Sequence, residues 1–150
     1  MTHGTSKLVQ TASSAAPYYL SLIRIVVGLM FMEHGTSKLF AFPVPAAHHD
    51  PLTLLWFAGV IEMIGGALLA LGLWPRLAAF VMSGEMAIGY FMSHAPKAFF
   101  PIANRGDAAI LYCFIFLYFA LVGGGPWTIA MLFGKSAEEE SQWHSAHAAR

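Results

Sequence analysis

Long apolar stretches alternate with short polar segments along this chain. The apolar stretches lie at residues 20–40, 52–73, 77–93 and 108–130. At about 1.5 Å of rise per residue, helices of this length match a hydrocarbon core about 30 Å thick. Proline and glycine interrupt the pattern between the stretches, which favours loops there. The pattern therefore predicts an all-α integral membrane protein, a four-helix bundle with antiparallel, up-down-up-down order.

The first apolar stretch carries a polar stripe on one helix face. Arg24, Gly28, Phe31, Gly35 and Lys38 step by four, three, four and three residues, so they share a face. A charge at mid-membrane costs about 2.5–3.5 kcal/mol, and glycine lets another helix approach closely. We therefore expect this face to point into the bundle. Its charges either lock helices together or form part of a site, and the sequence leaves both readings open.

The second and third stretches each contain one acid near the middle, Glu62 and Glu85. Both acids lie on helix faces that suit the interior of a bundle, and a very short connection predicts that the two helices form an antiparallel hairpin. Because an unpaired buried charge is costly, we predict that Arg24 contacts Glu62 or Glu85. The predicted inward face of the third stretch consists of Ala78, Met82, Glu85, Gly89 and Met92.

Composition agrees with a membrane protein and excludes several classes of function. Hydrophobic residues make up 57% of the chain and charged residues 11%, whereas soluble domains carry about 25% charged residues. The net charge is zero and no basic run occurs, so no nucleic-acid partner is expected. A single cysteine and the lack of a nucleotide-binding glycine loop predict no intrinsic cofactor. The adjacent His48, His49 and Asp50 suit a solvated turn, so no metal is expected.

Polar tails frame the apolar part of the chain. We divide it into an N-terminal tail at 1–17, a four-helix domain at 18–134 and a C-terminal tail at 135–150. Lysine and arginine slightly favour the side that holds both termini, which predicts that both termini are cytoplasmic. With this orientation, the rise along each helix predicts that several polar residues lie together at the extracytoplasmic end. One of them, Asp107, has a simpler interpretation as a helix cap. The cluster consists of Glu33, His34, Lys38, His94, Asn104, Arg105 and Asp107.

Four groups of residues, each on a different apolar stretch or at its edge, resemble a known family. They are Arg24…Gly28…His34-Gly35…Lys38-Leu39, then Glu62…Gly65-Gly66…Leu71-Gly72-Leu73…Arg76, then Pro101…Asn104-Arg105-Gly106-Asp107, and the glycine run at 123–125. Their order over residues 18–130 resembles the DoxX family of small four-helix bacterial membrane proteins, which includes DoxD-like members. The resemblance implies a multi-pass protein of the bacterial inner (plasma) membrane. The chain lacks the acid with which the family often ends its fourth span.

The resemblance also implies a redox role. DoxD-like members are associated with thiosulfate oxidation coupled to quinone reduction in a membrane complex, and other members with redox and thiol-stress systems. We therefore predict a redox-linked subunit in the lipid bilayer, an oxidoreductase subunit if it is catalytic, which acts with a quinone and a redox partner protein. The sequence leaves open whether the protein forms a homo-oligomer. The predicted catalytic residues are His34, Lys38, Glu33 and Asp107, and the predicted ligand-binding residues are His94, Asn104, Arg105, Glu62, Glu85 and Arg24.

Two other functions fit the same residues. A non-enzymatic membrane scaffold or small-molecule carrier would use the charges as locks between helices and around a polar cavity. A haem protein would use His34 and His94, from different spans, as axial ligands inside the bundle.

Overall fold

The computed structural model describes residues 7–129, and these residues form helices and no strands. The prediction of an all-α protein is therefore confirmed for this part of the chain. A short 3₁₀ turn at Pro45–Ala47 follows α1, and α3 continues into a π-helical turn at Tyr90–His94. The predicted tail at 135–150 lies outside the described residues. The helices are α1 (Lys7–Phe40), α2 (Leu54–Leu71), α3 (Pro75–Gly89), the single turn α4 (Pro101–Asn104) and α5 (Asp107–Val122).

Two of these helices are long and apolar enough to cross a membrane. They are the segment Ala12–Phe40 of α1 and the whole of α2, while α5 is apolar but shorter. The N-terminal helix is longer than the predicted span, because α1 already begins at Lys7.

Glycines bring α1 and α2 into very close contact. A Cβ atom on Gly28 would lie 2.8 Å from the backbone nitrogen of Ala70, and one on Gly35 would lie 2.5 Å from that of Met63. No side chain fits at such distances, so only glycine allows this approach. Later residues of α1 meet earlier residues of α2, so the two helices run antiparallel. The predicted inward direction of the glycine-bearing face is confirmed.

The other long helices also pack as antiparallel neighbours. Gly72, with φ of 73°, ends α2, and Pro75 begins α3 three residues later, as the predicted hairpin requires. The Ser83 hydroxyl donates to the carbonyl oxygen of Cys113 at 2.9 Å, which joins α3 to α5. We call the end near Phe40, Leu54, His94 and Asp107 the upper end, and the end near Arg24, Gly72, Pro75 and Val122 the lower end.

An apolar core lies between these helices, with apolar surface outside. Phe31 of α1 packs edge-on against Phe116 of α5, with ring centroids 4.7 Å apart. Large apolar side chains on the outward faces, such as Leu29, Phe114 and Leu121, are exposed. Water disfavours such a surface, whereas lipid hydrocarbon accepts it. The arrangement is typical of a membrane protein.

The inward face of α3 becomes more open towards its upper end. Ala78 and Met82 are buried and Glu85 is half-buried, while Met92 is exposed and lines a large cavity among the helices. Met92 lies in the π-helical turn, in which the amide of Ala95 donates to the carbonyl of Tyr90, five residues earlier, at 2.9 Å. The residues of the predicted inward face are therefore buried or line this cavity.

Candidate functional site

A cavity of about 860 Å³ lies among the four long helices, in the upper half of the molecule. Most of its wall is apolar, with Phe31, Ile61, Phe80 and Met86 among the lining side chains. A large apolar cavity with a few polar groups is the usual form of a small-molecule site. Six of the predicted site residues line it: His34, Lys38, Glu62, Glu85, His94 and Arg105.

An ion pair joins α1 to α2 in the cavity wall. The Lys38 ammonium lies 2.6 Å from Oε1 of Glu62 and donates a hydrogen bond to it. Glu62 is 2% exposed, so its carboxylate depends on this partner. The Lys38 side chain is 20% exposed and leans against Gly59, where a Cβ atom would lie 2.9 Å from the Lys38 Cβ. The glycine therefore leaves room for the lysine to reach down to Glu62.

Glu85 faces the cavity from α3 without a hydrogen-bond partner. Both of its carboxylate oxygens are enclosed, and no donor within residues 7–129 reaches them. The second oxygen of Glu62, Oε2, is also enclosed and receives no hydrogen bond from these residues. Glu85 lies within electrostatic range of both Glu62 and Lys38. Three ionisable groups from three helices thus lie near one another in the wall of a mostly apolar cavity.

Arg24 lies far from both acids, so the prediction that it contacts Glu62 or Glu85 is wrong. Its Nη1 donates to the carbonyl of Leu69 and, at 3.0 Å, to that of Ala70, while Nη2 donates to the carbonyl of Trp127. The register of α1 on α2 is the reason. Arg24 is level with Leu69, about 10 Å below Glu62 along α2. Arg24 instead binds carbonyl groups in the last turn of α2, which have no partner four residues later within the helix.

The upper turn between α3 and α5 is organised by Asn104, which is 1% exposed. Its side-chain amide donates to the Ala98 carbonyl at 2.9 Å, and its side-chain oxygen accepts from the Gly106 amide at 2.8 Å. The ring nitrogen Nδ1 of His94 lies 3.0 Å from the Asn104 carbonyl. Asn104 therefore holds the turn and positions His94 and Arg105 at the cavity, but does not line the cavity itself.

Two predicted catalytic acids lie outside the cavity wall. Glu33 and Asp107 are both exposed, and neither lines the cavity. Asp107 is the first residue of α5, while Gly106 occupies the cap position. The reading of Asp107 as the cap is therefore wrong by one position, although an acid in the first turn still stabilises the helix dipole.

Tyr112 is a cavity residue that the sequence analysis did not name. Its ring lies against His34 and Phe31, with centroids 6.0 and 5.3 Å away, and its side chain lines the cavity. The sequence did offer a signal for this residue, because its phenol lies among aliphatic and aromatic residues on the fourth apolar stretch. The two histidines of the haem hypothesis, His34 and His94, also line the cavity, and haem binding stays a prediction. Within residues 7–129, no three His, Cys, Asp or Glu side chains are grouped to hold a metal ion.

Comparison with known proteins identifies the family. The DoxX family model matches residues 19–95. An uncharacterized protein of Haemophilus influenzae is 46% identical over 127 residues, which cover 79% of this chain and 93% of that relative. No solved structure matches the chain. The family match spans the first three apolar helices and most of the cavity wall, and the chain belongs to the DoxX family.

Proposed function

We propose that the chain is a multi-pass protein of the bacterial inner membrane, in which α1, α2, α3 and α5 form one antiparallel, up-down-up-down bundle. The antiparallel neighbours α1–α2, α2–α3 and α3–α5 support this arrangement, as do the apolar outward faces. Both termini lie on the cytoplasmic side in this proposal, because the two tails and the α2–α3 turn carry Lys7, Arg76, Lys135 and Arg150 in the sequence, against Lys97 and Arg105 in the α3–α5 connection. The cavity then opens in the extracytoplasmic half of the membrane.

The cavity's function in this proposal is to bind a quinone. One observation carries it: the ionisable side chains of Lys38, Glu62 and Glu85 lie in the wall of a large cavity that is mostly apolar. A volume of about 860 Å³ lies within the range of small-molecule sites. A quinone offers an apolar ring and tail for the wall, and carbonyl oxygens that accept hydrogen bonds from Lys38.

The chain acts in this proposal as the quinone-binding subunit of a redox system. Reduction of a quinone to a hydroquinone takes two electrons and two protons. A partner protein or a diffusible donor supplies the electrons, since the sequence holds no cysteine cluster or nucleotide-binding loop. The carboxyl groups of Glu62 and Glu85 and the imidazole of His34 are placed to exchange the protons.

Gly84 offers a test that leaves every polar group in place. It lines the cavity on α3, and a Cβ atom there would meet nothing within 4 Å. Leucine at this position fills the cavity and is a better helix former than glycine, so Gly84→Leu should fold. We expect it to weaken binding of a decyl-substituted benzoquinone by about tenfold or more. Calorimetry on the purified protein in lipid nanodiscs measures this.

Gly84→Ala is the matched control for that experiment. It makes the same helix more stable but adds only one methyl group, so quinone binding should stay close to that of the unchanged protein. Equal affinity in all three proteins would contradict binding in the cavity. Lack of quinone binding by the unchanged protein would contradict the function itself.

A scaffold or carrier is the second candidate, and a specific observation favours it. The Lys38–Glu62 pair and the Arg24 contacts both join separate helices, as structural locks do. On this reading the protein binds no quinone. A scaffold would retain its partners in the Gly84→Leu variant, and a carrier would lose substrate flux into vesicles.

A further inference from the structure

The deep part of the cavity holds several enclosed oxygens that accept hydrogen bonds but receive none. They are Oε2 of Glu62 and both carboxylate oxygens of Glu85, for which no donor lies within residues 7–129. In native proteins about nine in ten buried polar groups are paired, so three unpaired acceptors in one place are unusual. Glu62 and Glu85 both line the cavity, and the Glu62 side chain is 3% exposed.

His94 adds a fourth acceptor at the upper part of the same cavity. Its Nδ1 lies 3.0 Å from the Asn104 carbonyl, which can only accept, so Nδ1 carries the hydrogen. In the neutral ring, Nε2 is then an acceptor. The Asn104 carbonyl therefore determines that His94 offers an acceptor, Nε2, and not a donor.

Around Glu62 and Glu85, unpaired acceptors outnumber free donors. Lys38 uses one of its three N–H groups on Glu62, which leaves two for the three unpaired oxygens. Other donors of the cavity wall belong to Arg105, His34, Ser93 and Tyr112. A proton on Glu85 would turn one oxygen into a donor, but its other oxygen and Oε2 of Glu62 would still accept. The part of the cavity around these two carboxyl groups is thus matched to a ligand that donates hydrogen bonds.

We infer that the site holds the hydroquinone form of its ligand more tightly than the quinone form. This inference rests on the proposed function. The oxygens of a quinone only accept hydrogen bonds, so they can use Lys38 but leave the acceptor oxygens of Glu62 and Glu85 unpaired. The hydroxyl groups of a hydroquinone donate to these carboxyl groups and still accept from Lys38. Tighter binding of the reduced form makes a bound quinone easier to reduce than a free one.

The experiment compares both forms of one ligand on the protein in lipid nanodiscs. The probes are decyl-substituted benzoquinone and its hydroquinone, measured by calorimetry without oxygen. We expect the hydroquinone to bind about tenfold more tightly, as two additional hydrogen bonds of ordinary strength would give. Equal or weaker binding of the hydroquinone would overturn the inference but leave quinone binding intact. Binding of neither form would instead overturn the proposed function.

Glu85→Gln tests which residue is responsible. The amide keeps the shape of the side chain but replaces one acceptor with a donor, so the preference for hydroquinone should fall to about threefold or less. Asp50→Asn is the matched control, because Asp50 is exposed and lies outside the cavity wall. It should leave the tenfold preference unchanged. A preference that persists in Glu85→Gln and also in Glu62→Gln would contradict the assignment to these carboxyl groups.

A redox titration measures the same preference without any variant. For a two-electron couple, a tenfold difference in affinity raises the midpoint potential of the bound ligand by about 30 mV. The bound benzoquinone should therefore show a potential higher than that of the free couple in the same nanodiscs. A potential equal to or below the free value would overturn the inference.

Discussion

Arg24 at the lower end and Glu85 in the cavity are both ionisable side chains inside an apolar helical protein, but only Arg24 has hydrogen-bond partners. The Arg24 side chain is completely buried, and its two terminal nitrogens bind three backbone carbonyls. Glu85 has two enclosed oxygens that receive no hydrogen bond from residues 7–129. A buried polar group that its own fold satisfies stabilises the fold, whereas one that is left unpaired costs stability.

The difference separates structure from function within one molecule. At the lower end, a single guanidinium joins α1, the end of α2 and the segment after α5. Among the buried side-chain atoms of this end within residues 7–129, only Nε of Arg24 is unpaired, which leaves little polar capacity for a ligand. The cavity instead keeps acceptors free beside an apolar wall. Polar groups whose pairing is incomplete mark the place where a ligand completes it.

The largest expected effect is at the lower end. Arg24→Ala removes all three contacts, takes a donor from the carbonyls of Leu69, Ala70 and Trp127 and opens a void, so we expect it to cost about 3–5 kcal/mol of stability. Thermal unfolding in detergent measures this loss.

Arg76→Ala is the matched control for the Arg24 variant. Arg76 also donates to helix-end carbonyls, at 2.8 Å to Leu121, but it is exposed, so water can replace it. Its loss should cost about 1 kcal/mol or less. Equal losses for the two arginines would mean that the Arg24 contacts do not lock the lower end.

The Lys38–Glu62 pair has features of both regions, since it joins two helices and also lines the cavity. Lys38→Met leaves the Glu62 carboxylate buried without a cation and should cost about 3 kcal/mol. The double variant Lys38→Met, Glu62→Met removes the stranded charge, so it should regain most of that stability. Thermal unfolding of both variants measures this loss and recovery of stability. A double variant as unstable as the single one would show that the pair itself, not the unpaired charge, stabilises the fold.

The helix faces could be predicted from the sequence, but the contacts between them could not. The spacing of Arg24, Gly28 and Gly35 is a property of one helix, and the burial of that face followed from it. The partner of Arg24 depends on the register between α1 and α2, which the glycine contacts set. That register lowers Arg24 to the level of Leu69 and brings Lys38 to Glu62.

The cavity was predictable only in part for a similar reason. Six of the predicted residues line it, because ionisable groups in apolar helices tend to face a shared interior. Glu33 and Asp107 were assigned from depth alone, and depth does not determine direction around a helix axis. The π-helical turn that ends α3 has no proline or glycine at its centre to signal it.

The smallest expected effect is the stability change in Glu85→Gln. A residue that serves as a lock loses stability when it is changed, as Arg24 should. Glu85 has no hydrogen bond to lose within the described chain, and the amide is similar in shape and easier to bury than a charge. We therefore expect the midpoint temperature of thermal unfolding to stay the same or rise slightly. The free energy of unfolding should increase by no more than about 1 kcal/mol. A loss above that size would show that Glu85 has a structural partner, which would place it with Arg24 and remove the contrast between the two regions.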